Sequence, residues 1–174
     1  MKNLILLGIL LTSVSFFIGC SKDNTENTVS ATEEIDGIWL KDSYRRLTIS
    51  YGTMNYLYTY DTYLEERDVT ISLRGEKNIQ PNDLVVKKYY GELVSLYYTP
   101  RTQAEADSWN QQQDCGYTNW QVNVKMDCIH TRIGVSDNDI YYLKDNNLTF
   151  GDFKQIGSDG YPEALDNTRS WTKE

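Results

Sequence analysis

The sequence predicts an almost entirely β domain, an antiparallel barrel or sandwich with one short inserted helix. Three observations predict it. Apolar and polar residues alternate with period 2 in short runs, turn-forming residues separate the runs, and 14 tyrosines supply a residue type suited to pleated, half-buried surfaces.

Gly37-Ile38-Trp39 opens the first strand. In the next run Leu47, Ile49 and Tyr51 alternate with Arg46, Thr48 and Ser50. Val69, Ile71 and Leu73 alternate with Thr70, Ser72 and Arg74, and Val122, Val124, Met126 and Cys128 with Gln121, Asn123, Lys125 and Asp127. Each of these last two runs is expected to have one buried and one wet face. Further strands are expected at residues 56–60, 84–90, 92–98, 140–143, 148–150 and 168–172. Turn signals fall between the runs at Arg74-Gly75, Pro81-Asn82-Asp83, Asp137-Asn138-Asp139, Asp145-Asn146-Asn147 and Ser158-Asp159-Gly160. The helix is expected from Thr102-Gln103-Ala104-Glu105, which has capping-box spacing, to about Gln112.

The N-terminus carries an address. Lys2 precedes an apolar run over residues 4–18, broken only by small or hydroxylated residues, which ends at Gly19-Cys20. That is the layout of a cleaved secretory signal over residues 1–19, and the run is short for a membrane span, which needs about 20 apolar residues. Phe17-Ile18-Gly19-Cys20 resembles the bacterial lipobox, with Phe17 where Leu is usual. The resemblance implies that Cys20 becomes the lipid-modified first residue of an anchored protein, two or more acyl chains making attachment stable. Residues 21–27 are polar and partly acidic, similar to the signal that sends some lipoproteins to the outer face of the outer membrane, so surface display is expected ahead of a periplasm-facing location. Residues 20–34 read as lipidated cysteine and flexible tether, and residues 35–174 as one domain with its own core. Cleavage leaves 16 Lys and Arg against 25 Asp and Glu, a net of −9, which disfavours nucleic acid as a partner.

Gly37-Ile38-Trp39 at the start of the domain and Arg169 within Asn167-Thr168-Arg169-Ser170-Trp171 near its end resemble the lipocalin-like (calycin) barrels. The Leu148-Thr149-Phe150-Gly151 run is similar to the strand before the last in bacterial lipocalin-like lipoproteins, while the middle of the domain matches only in its alternation. The resemblance implies an up-and-down barrel in which Arg169 packs over Trp39 and plugs one end, a contact of about 0.5–2 kcal/mol. It also implies a small apolar or amphipathic ligand in the barrel interior or mouth. Candidate lining residues are Tyr56, Tyr58, Tyr60 and Tyr97, with Trp109 on the helix as a lid.

With Cys20 assigned to lipid, Cys115 and Cys128 form an even pair in an oxidising compartment, and a disulfide is expected. The alternative is metal ligation by both cysteines with His130. No catalytic, cofactor or metal residues are otherwise expected. His130 is the one histidine, nucleophile and phosphate-loop motifs are missing, and the pairs Glu65-Glu66, Asp137/Asp139 and Asp159/Glu163 read as solvated turn carboxylates. Two functions remain: a ligand-binding barrel, or a non-catalytic surface scaffold whose exterior binds a protein or glycan through exposed Tyr and Trp.

Overall fold

The computed structural model describes residues 34–132 and 134–174; the signal peptide, Cys20 and the tether up to residue 33 lie outside the described residues. The strands are β1 (Gly37–Asp42), β2 (Arg45–Ser50), β3 (Thr53–Thr59), β4 (Tyr63–Ile79), β5 (Leu84–Pro100), β6 (Met126–Asp127), β7 (Ser136–Lys144), β8 (Asn147–Gly151) and β9 (Leu165–Lys173). Eight of them close an antiparallel barrel in the order β1-β2-β3-β4-β5-β7-β8-β9, with β9 pairing back onto β1. The fold class is therefore the one the sequence predicts. The two-residue β6 adds to the side of β5 at Tyr97 and Tyr98.

Register and alternation place one continuous set of side chains inside. Trp39 faces Leu47, Leu47 faces Tyr56, Ile49 faces Met54, Met54 faces Val69, Tyr141 faces Phe150 and Leu148 faces Trp171. Successive residues point to opposite faces of a strand, so fixing one inward pair fixes the whole row. Ile35, Trp39, Leu47, Ile49, Met54, Ile71 and Leu148 fill one half of the barrel as a packed core. Ile35 seals that end, its carbonyl accepting a bond from Trp39 Nε1 at 2.8 Å, and the C-terminus returns there, with Glu174 N donating to the Ile38 carbonyl.

The β4–β5 hairpin is longer than the rest of the barrel. Strand β5 runs on from Leu93 to Pro100 after its last pairing with β7, at Glu92 and Ser136. Residues 101–132 cover that stretch. Helix α1 (Gln103–Gln112) starts as expected, Thr102 accepting from Glu105 N at 3.2 Å, and buries Ala106 and Trp109. These two join Leu96, Trp120 and Cys128 in a second core beside the mouth.

Several local expectations are corrected. Arg74-Gly75 is not a turn but a register shift inside the long strand β4, and Glu65-Glu66 is not a solvated turn pair, since both lie in β4 and Glu65 is buried. The run at residues 121–128 is not a strand, because only Met126 and Asp127 pair with β5. Trp120 is tied to Asn110 through both its N and its carbonyl, Cys128 is tied to Cys115, and Asn123 turns the chain at φ 62°, so the alternation there describes a tethered loop with Val124 exposed. Asp137-Asn138-Asp139 is not a turn but the start of β7, with Asp139 buried inside the barrel.

Candidate functional site

The half of the barrel opposite the packed core holds a cavity of about 290 Å³. Space is left there partly because Gly91 occupies an inward position of β5 between Tyr89 and Leu93; a Cβ at Gly91 would lie 3.1 Å from Val69. Tyr56, Val69, Leu93, Phe150 and Trp171 give the lining its aromatic and aliphatic surface. Lys41, Arg45, Arg67 and Arg169, with Asp137 and Asp139, supply its charged groups.

Asp139 organises the floor. It is 2% exposed, and its Oδ1 accepts from Ile140 N at 2.7 Å and Gly151 N at 3.1 Å. Its Oδ2 accepts from the Tyr89 hydroxyl at 3.0 Å and Arg169 Nη2 at 2.8 Å. Arg169 Nη1 also donates to the Gly151 carbonyl, and its guanidinium lies 4.4 Å from the Phe153 ring centre and 5.5 Å from that of Phe150. Gly151 permits this approach, since a Cβ there would stand 2.7 Å from Asp139 Oδ1. Burial pushes the Asp139 carboxyl above its ordinary pKa, with Arg169 and the donated hydrogen bonds acting the other way. Burial also holds the Tyr89 and Tyr56 phenols well above theirs.

At the mouth, Arg67 forms an ion pair with the buried Glu65 and lies 5.5 Å from the centre of the Tyr58 ring. Arg45 donates from Nε to Asp42 at 2.7 Å, and Lys41 donates to the Thr168 carbonyl. The Lys41 ammonium is held below its ordinary pKa, first by burial and next by the Arg45 charge. Tyrosine rings follow one another from the cavity over the rim, with Tyr56–Tyr58, Tyr58–Tyr60 and Tyr60–Tyr63 centres 6.2, 6.4 and 4.3 Å apart.

Of the residues singled out from sequence, Tyr56 and Tyr58 line the cavity. Tyr60 sits on the rim, 42% exposed. Tyr97 lies on the outer face of β5 under Lys125, whose Nζ is 4.3 Å from the ring centre. Trp109 is not a lid. It is packed in the second core, with its ring 4.7 Å from that of Trp120 and 5.5 Å from that of Tyr63. The Trp39–Arg169 expectation is corrected as well: the cation over Trp39 is Lys173, at 5.3 Å, its cross-strand partner. Arg169 lies four residues earlier on β9, toward the mouth, where the buried Asp139 carboxylate outcompetes an indole face.

Cys115 and Cys128 form the expected disulfide, so neither sulfur is free to ligate a metal, and His130 Nε2 lies 2.6 Å from the Cys115 carbonyl. Sequence reasoning missed Asp139, Lys41, Arg45 and Arg67. A signal existed, since Arg67 shares the inward parity of Val69, Ile71 and Leu73, and Asp139 that of Tyr141 and Leu143. The chain matches no protein-family model and no curated protein.

Proposed function

We propose that this protein is an outer-membrane lipoprotein, anchored through Cys20, which binds a small amphipathic ligand in the open half of its barrel and performs no chemistry on it. The observation that carries this reading is the cavity of about 290 Å³ whose lining combines aromatic side chains with a cluster of charged ones. Ligand pockets run from about 300 to 1,000 Å³, so the ligand is small, with an apolar body against Tyr56, Phe150 and Trp171 and a polar end toward the mouth. The closed half is filled by its own side chains, as small barrels often are.

The apolar run before Gly19-Cys20 supports the anchor. Ile35 lies at the closed end, so the chain toward Cys20 leaves the barrel from the end opposite the mouth. A second reading, a surface scaffold for protein or glycan, draws on Tyr44 and Tyr60, which stand exposed beside Asp42 and Asp61 in a shallow groove on the rim.

Native mass spectrometry of the full chain purified from its membrane tests the first reading. A one-to-one small-molecule adduct is expected, lost in Gly91→Leu, whose side chain enters the cavity. Should the chain carry no adduct and the neutral dye 1-aminoanthracene not bind it, the ligand-binding reading falls and the rim groove becomes the surface to pursue.

A further inference from the structure

We infer that the polar end of the ligand is an oxyanion, a carboxylate or a phosphate, received at the cavity mouth by Lys41, Arg45 and Arg67. This rests on the reading of the barrel as a ligand-binding cup and names the ligand's head group. The chain is acidic overall, with 17 Lys and Arg against 25 Asp and Glu, yet the cavity lining reverses that balance: four cations and two carboxylates.

The innermost cation is already spoken for. Arg169 is committed to Asp139 and the Gly151 carbonyl, and Asp139 has all its strong contacts within the barrel wall. The three outer cations are different. Arg67 gives Nε to Glu65, and Arg45 gives Nε and Nη2 to Asp42. A guanidinium has five N–H donors, so each keeps others beyond these pairs. Arg45 and Arg67 line the cavity, whereas Glu65 does not and Asp42 lines the adjoining rim groove. Lys41 donates to a backbone carbonyl and has no ion pair among the described residues.

The three sit on one arc. Lys41, Arg45 and Arg67 belong to β1, β2 and β4, with Tyr58 of β3 between the last two, all on the inward face. Asp137 lies across the mouth on β7. Like charges gathered in a partly enclosed space repel one another; the Lys41 ammonium is held below its ordinary pKa first by burial and next by the Arg45 charge, with Asp42 and Asp166 acting the other way. An oxyanion on the arc offsets the repulsion and accepts charge-assisted hydrogen bonds, which are about twice as strong as neutral ones. The aromatic floor of Tyr56, Phe150 and Trp171 then takes the body of the molecule.

Calorimetric titration of the full-length chain with three probes that share a phenylpropyl body decides the question: 3-phenylpropanoate, 3-phenylpropyl phosphate and the neutral 3-phenylpropanamide. At least one anion is expected to bind about tenfold or more tighter than the amide, with an advantage that shrinks as salt is added. The tighter anion identifies the head group as carboxylate or phosphate. Lys41→Gln and Arg45→Gln, both at the rim and outside the packed core, are each expected to weaken the anion about fivefold and the amide less than twofold, with an unchanged thermal midpoint confirming that they fold. If the amide binds as tightly as both anions, or if neither substitution moves anion affinity, the oxyanion assignment is overturned while the cup stands. If neither the probes nor 1-aminoanthracene bind, the cup reading fails and takes the oxyanion with it.

Discussion

Arg169 and Asp139 join two strands of the barrel through an ion pair at the cavity. An apolar pair at these two inward positions would extend the packed core toward the mouth; a carboxylate that is 2% exposed instead needs every donor around it. Removing one partner of such a pair costs about 3–5 kcal/mol, because the other charge stays buried. Arg169→Met is expected to lose stability on that scale in urea denaturation at neutral pH. Without the arginine, burial is opposed only by the bonds donated to Asp139 from Ile140, Gly151 and Tyr89, and its pKa rises further. The native state then binds a proton that the unfolded chain has lost, so the deficit grows as pH rises through that pKa and narrows in acid. A deficit equal at acid and neutral pH would show that Asp139 is not the group left unpaired.

Among the elements, the insertion after β5 departs most from its sequence pattern and is tied down most locally. The Cys115–Cys128 bridge spans 13 residues, and a loop of that size is worth about 3 kcal/mol in the chain-entropy model. The Cys115→Ser/Cys128→Ser double variant is expected to lower thermal stability by that order, with faster amide exchange concentrated at residues 113–131 while β2, β3 and β8 keep their protection. Exchange that accelerates evenly around the barrel would mean that insertion and barrel are one cooperative unit. The helix was legible because Thr102 and Glu105 carry a local capping signal. The segment after Trp120 was not, because its Val122, Val124, Met126 and Cys128 pattern fits a strand equally well, and only the bonds from Asn110 and Cys115 decide against one.

For the whole molecule, the buried tyrosines set the response to alkali. Burial raises the phenol pKa of Tyr63 to about 12 and holds those of Tyr56, Tyr89 and Tyr141 higher than the ordinary 10.0 as well. Above pH 10.0 these phenols lose their protons in the unfolded chain before they do in the barrel, so the unfolded state binds fewer protons and stability falls as pH rises. The thermal midpoint is expected to drop steeply above that pH, with part of the phenolate absorbance appearing only at the unfolding transition. Tyr56→Phe and Tyr141→Phe should flatten the dependence; an unchanged slope in both would remove buried phenols as its cause.

Local rules were enough for the fold class. Period-2 alternation, turn residues and a capped helix depend on neighbours in sequence, and the structure keeps most of them, from the inward row of Leu47 and Ile49 to the turn at Asp145, though not the turns expected at Arg74-Gly75 and Asp137-Asn138-Asp139. They reach only part of the site, because Tyr56 and Tyr58 are visible as aromatics on one strand face while the groups they meet are not. Asp137-Asn138-Asp139 reads locally as a turn, and only closure of the barrel brings Asp139 of β7 to Arg169 of β9 and gives the strand its carboxylate inside. Likewise Lys41, Arg45 and Arg67 are ordinary charges along the chain; the hydrogen-bond register of three different strands makes them one cationic arc beside an aromatic floor.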